Sequence, residues 1–103
     1  MFLERMLFQV TPGKEDDFIK ADDEIWTNWL RKQPGFIQKS SSKYSAGVIE
    51  LRLFWKAKQD MKTAALRPDM KVVETLFRNR LGPTYNLLSS YATSALPERF
   101  LPR

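Results

Sequence analysis

The 103-residue chain contains no cysteine and no histidine. Without cysteine there is no disulfide, no thiolate nucleophile and no thiolate metal site. That absence suits the reducing cytoplasm, where the protein is expected. Without histidine the commonest metal ligand and the usual general base near neutral pH are gone, so no metal site is expected. No apolar run reaches the ~18 residues of a membrane span, and no membrane partner is expected. The opening segment MFLERMLFQV carries a charge pair and no small-residue cleavage pattern, so it reads as a strand and not as a leader.

Hydrophobic residues make up 43% of the chain and aromatics 13%, which is the composition of a packed domain. The length suits one domain, placed at residues 1–93, with a C-terminal tail over 94–103 that carries two prolines. The net charge is +5. A soluble surface with excess Lys and Arg accounts for it, and an anionic partner is the other reading.

The longest run of strand formers is GVIELRLFWKAK, residues 47–58. Ile49, Leu51, Leu53 and Trp55 make one apolar face; Val48, Glu50, Arg52 and Phe54 make a mixed one. Phe2–Val10 divides the same way. Phe2, Glu4, Met6, Phe8 and Val10 lie opposite Leu3, Arg5, Leu7 and Gln9. Lys14–Gln33 reads as a helix with Glu15, Asp16 and Asp17 in its first turn. Its apolar stripe holds Phe18, Ile19, Ile25, Trp26, Trp29 and Leu30, with Asp22 in the middle. Pro34-Gly35 ends it. Phe36–Lys43 is a polar strand suited to an edge, and Tyr44–Gly47 is a hairpin loop. Lys58–Leu66 is a short helix without a good capping side chain. Pro68 opens a helix to Leu81 with Met70, Val73, Leu76, Phe77 and Leu81 inward. Thr84–Thr93 is the last strand, with Tyr85, Leu87 and Ser89 opposed to Asn86, Leu88, Ser90 and Ala92. The order β-α-β-β-α-β predicts an α+β, ferredoxin-like antiparallel sheet with helices on one face.

The other face would carry Leu3, Arg5, Leu7, Gln9, Val48, Glu50, Arg52 and Phe54. That is much apolar area for a monomer to leave wet. Two sheets packed face to face would bury it, with Glu50 paired to Arg5 or Arg52. A homodimer is therefore expected, with those eight residues at its interface.

Pro34-Gly35-Phe36 after the first helix, Trp55-Lys56-Ala57-Lys58 closing the third strand, and Met61 beyond it resemble the antibiotic-biosynthesis-monooxygenase (ABM) type domain. That domain belongs to the dimeric α+β barrel superfamily. Asp23-Glu24-Ile25-Trp26-Thr27 further resembles a family of short proteins known mainly from cyanobacteria. The resemblance spans residues 2–92 and implies a homodimeric α+β barrel. It also implies a pocket between helices and sheet, here lined by Met6, Phe8, Trp26, Trp29, Leu53, Trp55 and Phe77. Cofactor-independent members oxidise activated aromatic substrates, so the resemblance implies no cofactor and a small apolar or aromatic ligand. Haem-degrading members use an Asn, a Trp and a His. Trp55 matches the Trp, but Met6 and Glu74 stand at the other two positions, which argues against histidine-ligated haem degradation.

Asp22 is the leading candidate catalytic group. A carboxylate inside an apolar stripe must find donors or hold a proton. Either it is satisfied by a neighbouring donor, or it is a carboxylate of raised pKa lining a cleft. Glu74 is the second candidate, with Arg78 four residues on as a plain ion-pair partner. Trp55, Trp26 and Trp29 read first as core anchors, and second as pocket residues. Three functional classes remain: a cofactor-free oxygenase, a non-catalytic dimeric module that binds a small ligand or a partner protein, and an RNA-binding domain. The last requires exposed aromatics in a Gly-and-aromatic motif on the third strand. VIELRLFW has Glu50 there instead, which argues against nucleic acid.

Overall fold

A computed structural model describes residues 1–94. Four strands and three helices follow in the expected order. They are β1 (Phe2–Val10), helix α1 (residues 15–30), β2 (Phe36–Ser45), β3 (Val48–Trp55), α2 (Lys58–Ala65), α3 (Met70–Leu81) and β4 (Tyr85–Ser94). The sheet order is β2-β3-β1-β4 with antiparallel neighbours, the ferredoxin-like arrangement. The polar strand β2 is an edge, as its serines suggested. Most of the tail expected over 94–103 lies outside the described residues. No helix among the described residues is long and apolar enough to cross a membrane.

The two central strands behave as their alternation requires. Their register sets Leu3 opposite Phe54, Arg5 opposite Arg52, Leu7 opposite Glu50 and Gln9 opposite Val48. All eight residues expected on the helix-free face are therefore together. The other parity sends Ile49, Leu51, Leu53 and Trp55 beneath the helices, where they join Phe18, Ala21 and Phe77 in one core.

The helix-free face is less open within one chain than its composition implied. Glu50 is 2% exposed and Phe54 6%. Arg5 and Arg52, like charges directly opposed, would repel. Glu50 lies between them, one carboxylate oxygen on Arg5 Nε and the other 2.8 Å from Arg52 Nε. The Arg5 guanidinium lies over the rings of Tyr44 and Tyr91, 5.5 and 5.7 Å from their centroids. Arg5, Tyr44 and Tyr91 thus gather at the Glu50 site from three strands. Leu3, Leu7 and Val48 remain half-buried; Gln9 and Arg52 are exposed.

Four irregularities depart from the simple patterns, one of them a slip at Tyr44 near the end of β2. Helix α1 is α-helical over Glu15–Ala21, π-helical over Asp22–Thr27 and α-helical again over Asn28–Leu30. The wider π turn inserts a residue into the helical repeat, so Trp29 and Leu30 are buried while Ile25 and Trp26 are half-buried. In β2 the register slips at Ile37, so Lys39 follows Phe36 onto the helix side, opposite Leu53. In β4 it slips at Leu88. Ser90, not Ser89, then shares a face with Tyr85 and Leu87, and Tyr91 lands opposite Arg5. Each slip is a β-bulge, which exchanges the two faces beyond it.

Helix α3 turns Val73 and Phe77 inward but leaves Leu76 54% exposed, against expectation. At ~100° per residue Leu76 lies past the edge of the stripe formed by Met70, Val73, Phe77 and Leu81. Ala57 stands at the N-cap of helix α2 and supplies no side-chain cap, as expected.

Gly35 ends the α1 connection at φ +81°, and a Cβ there would lie 2.1 Å from Asp60 Cγ. Gly35→Ala should cost more than about 1 kcal/mol, since a left-handed φ and a close approach both oppose a side chain. Urea denaturation reads this directly; an unchanged midpoint would show that the turn relaxes freely.

Candidate functional site

Between the helices and the sheet lies a cavity of about 610 Å³. All seven residues expected to line a pocket do line it: Met6 and Phe8 from β1, Trp26 and Trp29 from α1, Leu53 and Trp55 from β3, and Phe77 from α3. The aromatic wall is held by edge-on contacts. Trp26 packs on Trp29 and Phe77 at 6.0 and 6.3 Å, and Phe77 packs on Tyr85 at 5.1 Å. Trp29 Nε1 donates to Asp69 Oδ2 at 3.0 Å, tying α1 to the start of α3. Trp55 is fully buried against Phe36, 5.4 Å between ring centres. The pocket and the core thus share residues, and the two readings of these tryptophans hold together.

Both candidate carboxylates also line the cavity, in different surroundings. Asp22 is 1% exposed. Lys39 Nζ lies 2.5 Å from its Oδ2, with side chains 5% and 1% exposed respectively. The contact is an ion pair; that oxygen has no donor in hydrogen-bond geometry. Burial pushes Asp22 above the ordinary carboxylate range. Lys39 opposes the shift, and Asp23 adds to it. Glu74 is half-exposed at the rim and is paired with Arg78 Nη2 at 2.5 Å, the surface pair its spacing suggested.

Two charged residues of the cavity, Glu4 and Lys39, were not picked out from the sequence. Glu4 stands on the helix-facing side of β1, between Phe2 and Met6. Its Oε1 accepts from Trp55 Nε1 at 3.3 Å. Burial raises its pKa, and the Trp55 indole and the Lys39 charge pull it back only partly. The signal for Glu4 was available, because it interrupts an apolar set just as Asp22 does. Lys39 had no such signal, since only the bulge at Ile37 turns it inward. Among the described residues no group of three or more carboxylates is placed to hold a metal ion.

The raised pKa values make a stability prediction. Asp22 and Glu4 both bind a proton more tightly folded than unfolded. Their favourable contribution is complete below the ordinary carboxylate values of 3.8 and 4.5. It is lost as pH rises through the folded-state values. Unfolding free energy should therefore decline with pH above those values, by at most about 1.4 kcal/mol per pH unit for each proton released. Glu4→Gln and Asp22→Asn should each flatten that slope in urea titrations at several pH values. An unaltered slope in both would refute the assignment.

A scan against family models finds no match, and a search of curated proteins finds none. Solved structures do match. The chain superposes on SnoaB, a cofactor-independent oxygenase from Streptomyces nogalater, with a TM-score of 0.73 at 13% identity, covering 93% of each chain. It superposes equally well, at 15% identity, on the ActVA-Orf6 monooxygenase of Streptomyces coelicolor bound to nanaomycin D. That match covers 99% of this chain and 92% of the other. At these identities the likeness establishes the ABM-type ferredoxin-like fold.

Proposed function

We propose that this protein is a cofactor-independent monooxygenase acting on a small, activated aromatic molecule. The observation that carries the reading is the cavity itself. It is apolar, large enough for a fused-ring aromatic, and its polar groups include the buried Asp22–Lys39 pair and the half-buried Glu4. Ligand sites typically combine apolar walls with a few convergent polar groups, and shifted carboxylates in a cleft mark candidates for proton transfer. A closed core would instead have favoured a purely structural module.

In the proposed reaction a floor carboxylate accepts the proton of a phenol or enol. The electron-rich carbon that results is oxidised by dioxygen. One oxygen atom stays in the product and the other leaves as water, so the substrate supplies the electrons. The fold shared with a cofactor-independent oxygenase supports this chemistry.

The test is oxygen uptake by the purified chain with a panel of naphthols and hydroxyanthrones and no added cofactor. Asp22→Asn/Glu4→Gln should lower the rate by at least about 10²-fold. Full activity in that variant would overturn the reading. Retention of an aromatic ligand without any oxygen uptake would assign the chain to the ligand-binding alternative.

The protein acts as a homodimer in this proposal, its helix-free faces apposed across Leu3, Leu7 and Val48. The half-burial of these side chains in one chain leaves apolar area for a partner to cover. Sedimentation should give a two-chain mass at micromolar concentration; a well-folded monomer would sink the dimer.

A further inference from the structure

Lys39 is placed oddly for a structural lysine. It comes from an edge strand, where a long cationic side chain would ordinarily reach into water. The bulge at Ile37 turns it to the helix side, and only 5% of its side chain is exposed. It reaches the cavity floor beside Asp22, which the first residue of the π segment supplies. Two local irregularities, one in the sheet and one in the helix, thus meet in a single ion pair facing an apolar void.

An ammonium has three donors, more than the one carboxylate oxygen of Asp22 can use. Glu4 lines the same cavity and is held by the Trp55 indole, with Lys39 close enough to act on its charge. The floor therefore offers a cation already balanced by one carboxylate, with a second carboxylate oriented by a neutral donor.

We infer that the cavity takes its ligand as an oxyanion. Lys39 Nζ binds the ionised oxygen of a phenol or enol, Glu4 is the base that removes its proton, and Asp22 is a positioning residue that holds the ammonium in place. This rests on the proposed function for the substrate class and assigns the roles within it. In the step, the substrate O–H bond breaks, a new O–H bond forms on Glu4, and the electron pair stays on the oxygen facing Lys39. A charge-assisted contact in a site with little water is stronger than a neutral one. The other titratable groups lining the cavity are Glu74, Arg78 and Tyr85. The first two are already paired with each other at the rim.

The probe is 4-nitrophenol, with 4-nitrotoluene as its partner lacking an ionisable oxygen. At a pH where free 4-nitrophenol is mainly protonated, the wild-type protein should bind it with the absorbance band of the phenolate. Its affinity should exceed that for 4-nitrotoluene by at least about tenfold. In Asp22→Asn/Lys39→Met, which removes both charges together, the preference should vanish while 4-nitrotoluene still binds. Equal affinities in the wild type, no phenolate binding to it, or a preference retained in the variant would overturn the inference.

Glu4→Gln separates the base from the anion site. It should keep the preference for phenolate, lower kcat with little change in KM, and regain rate as pH rises enough to ionise the substrate in solution. A rate deficit that persists at high pH removes Glu4 from the role of base. Anion binding is read without oxygen. Lys39-dependent phenolate binding with no oxygen uptake would defeat the monooxygenase reading alone, and uptake with no such binding would defeat this one alone.

Discussion

Lys39→Met is expected to destabilise the protein by about 3 kcal/mol at neutral pH, while Asp22→Asn leaves stability level or raises it. The asymmetry follows from the pair's surroundings. Removing the ammonium strands a carboxylate that is 1% exposed, and an uncompensated buried charge costs about 3–5 kcal/mol. Removing the carboxylate's charge is a different change. Burial raises the proton affinity of Asp22, and Lys39 beside it offsets that shift only in part. A neutral amide of the same shape removes that burial cost, and Glu4, on whose charge Lys39 also acts, is left to balance the ammonium. The Lys39→Met deficit should shrink as pH falls toward the carboxylate range, because Asp22 then takes up a proton. At neutral pH the added Asp22→Asn should rescue most of it. Urea denaturation of the four proteins at neutral and acidic pH completes the cycle. A deficit equal at both pH values, or one that the second substitution fails to relieve, would mean that Lys39 contributes by packing and not by charge.

The same pair marks where the sequence could be read and where it could not. Strand β3 was legible because one of its two alternating sets is wholly apolar: Ile49, Leu51, Leu53 and Trp55 are all buried in the core beneath the helices. The burial of Asp22 was legible because one turn separates it from Phe18 on one side and Trp26 on the other, a spacing that survives the start of the π segment. The partner of Asp22 was not. Counted in steps of two from Phe36, Lys39 falls on the face away from the helices, and only a one-residue slip brings it under them. Nothing in Phe36-Ile37-Gln38 announces that slip; it is fixed by how β2 pairs with β3. Tyr91 was hidden for the same reason, behind the slip at Leu88. Period-two patterns carry the faces of a strand only up to its first bulge. Glu4 differs from both, since its strand has the expected parity there and the logic applied to Asp22 would have singled it out.

Trp55→Ala should cost about 4 kcal/mol, within the range for deleting a large buried aromatic. The side chain is 1% exposed, and its neighbours across the sheet are Phe2 on β1 and Phe36 on β2. Its ring packs edge-on against Phe36. Truncation would open space at the end of three strands, where no single neighbour can refill it. Trp55→Phe isolates the other half of the residue's work. It keeps most of the apolar volume but removes the indole N–H that Glu4 accepts. Its stability cost should be well below that of the alanine variant. Glu4, losing a donor that favours its ionised form, should titrate higher than in the wild type. That shift would steepen the decline of stability with rising pH, the opposite of the flattening expected for Glu4→Gln. If Trp55→Phe left the pH profile unchanged, the indole–carboxylate contact would carry no electrostatic weight and Trp55 would be a packing residue alone. If the profile steepens while the fold holds, one side chain both anchors the sheet and sets the proton affinity of the carboxylate at the cavity floor.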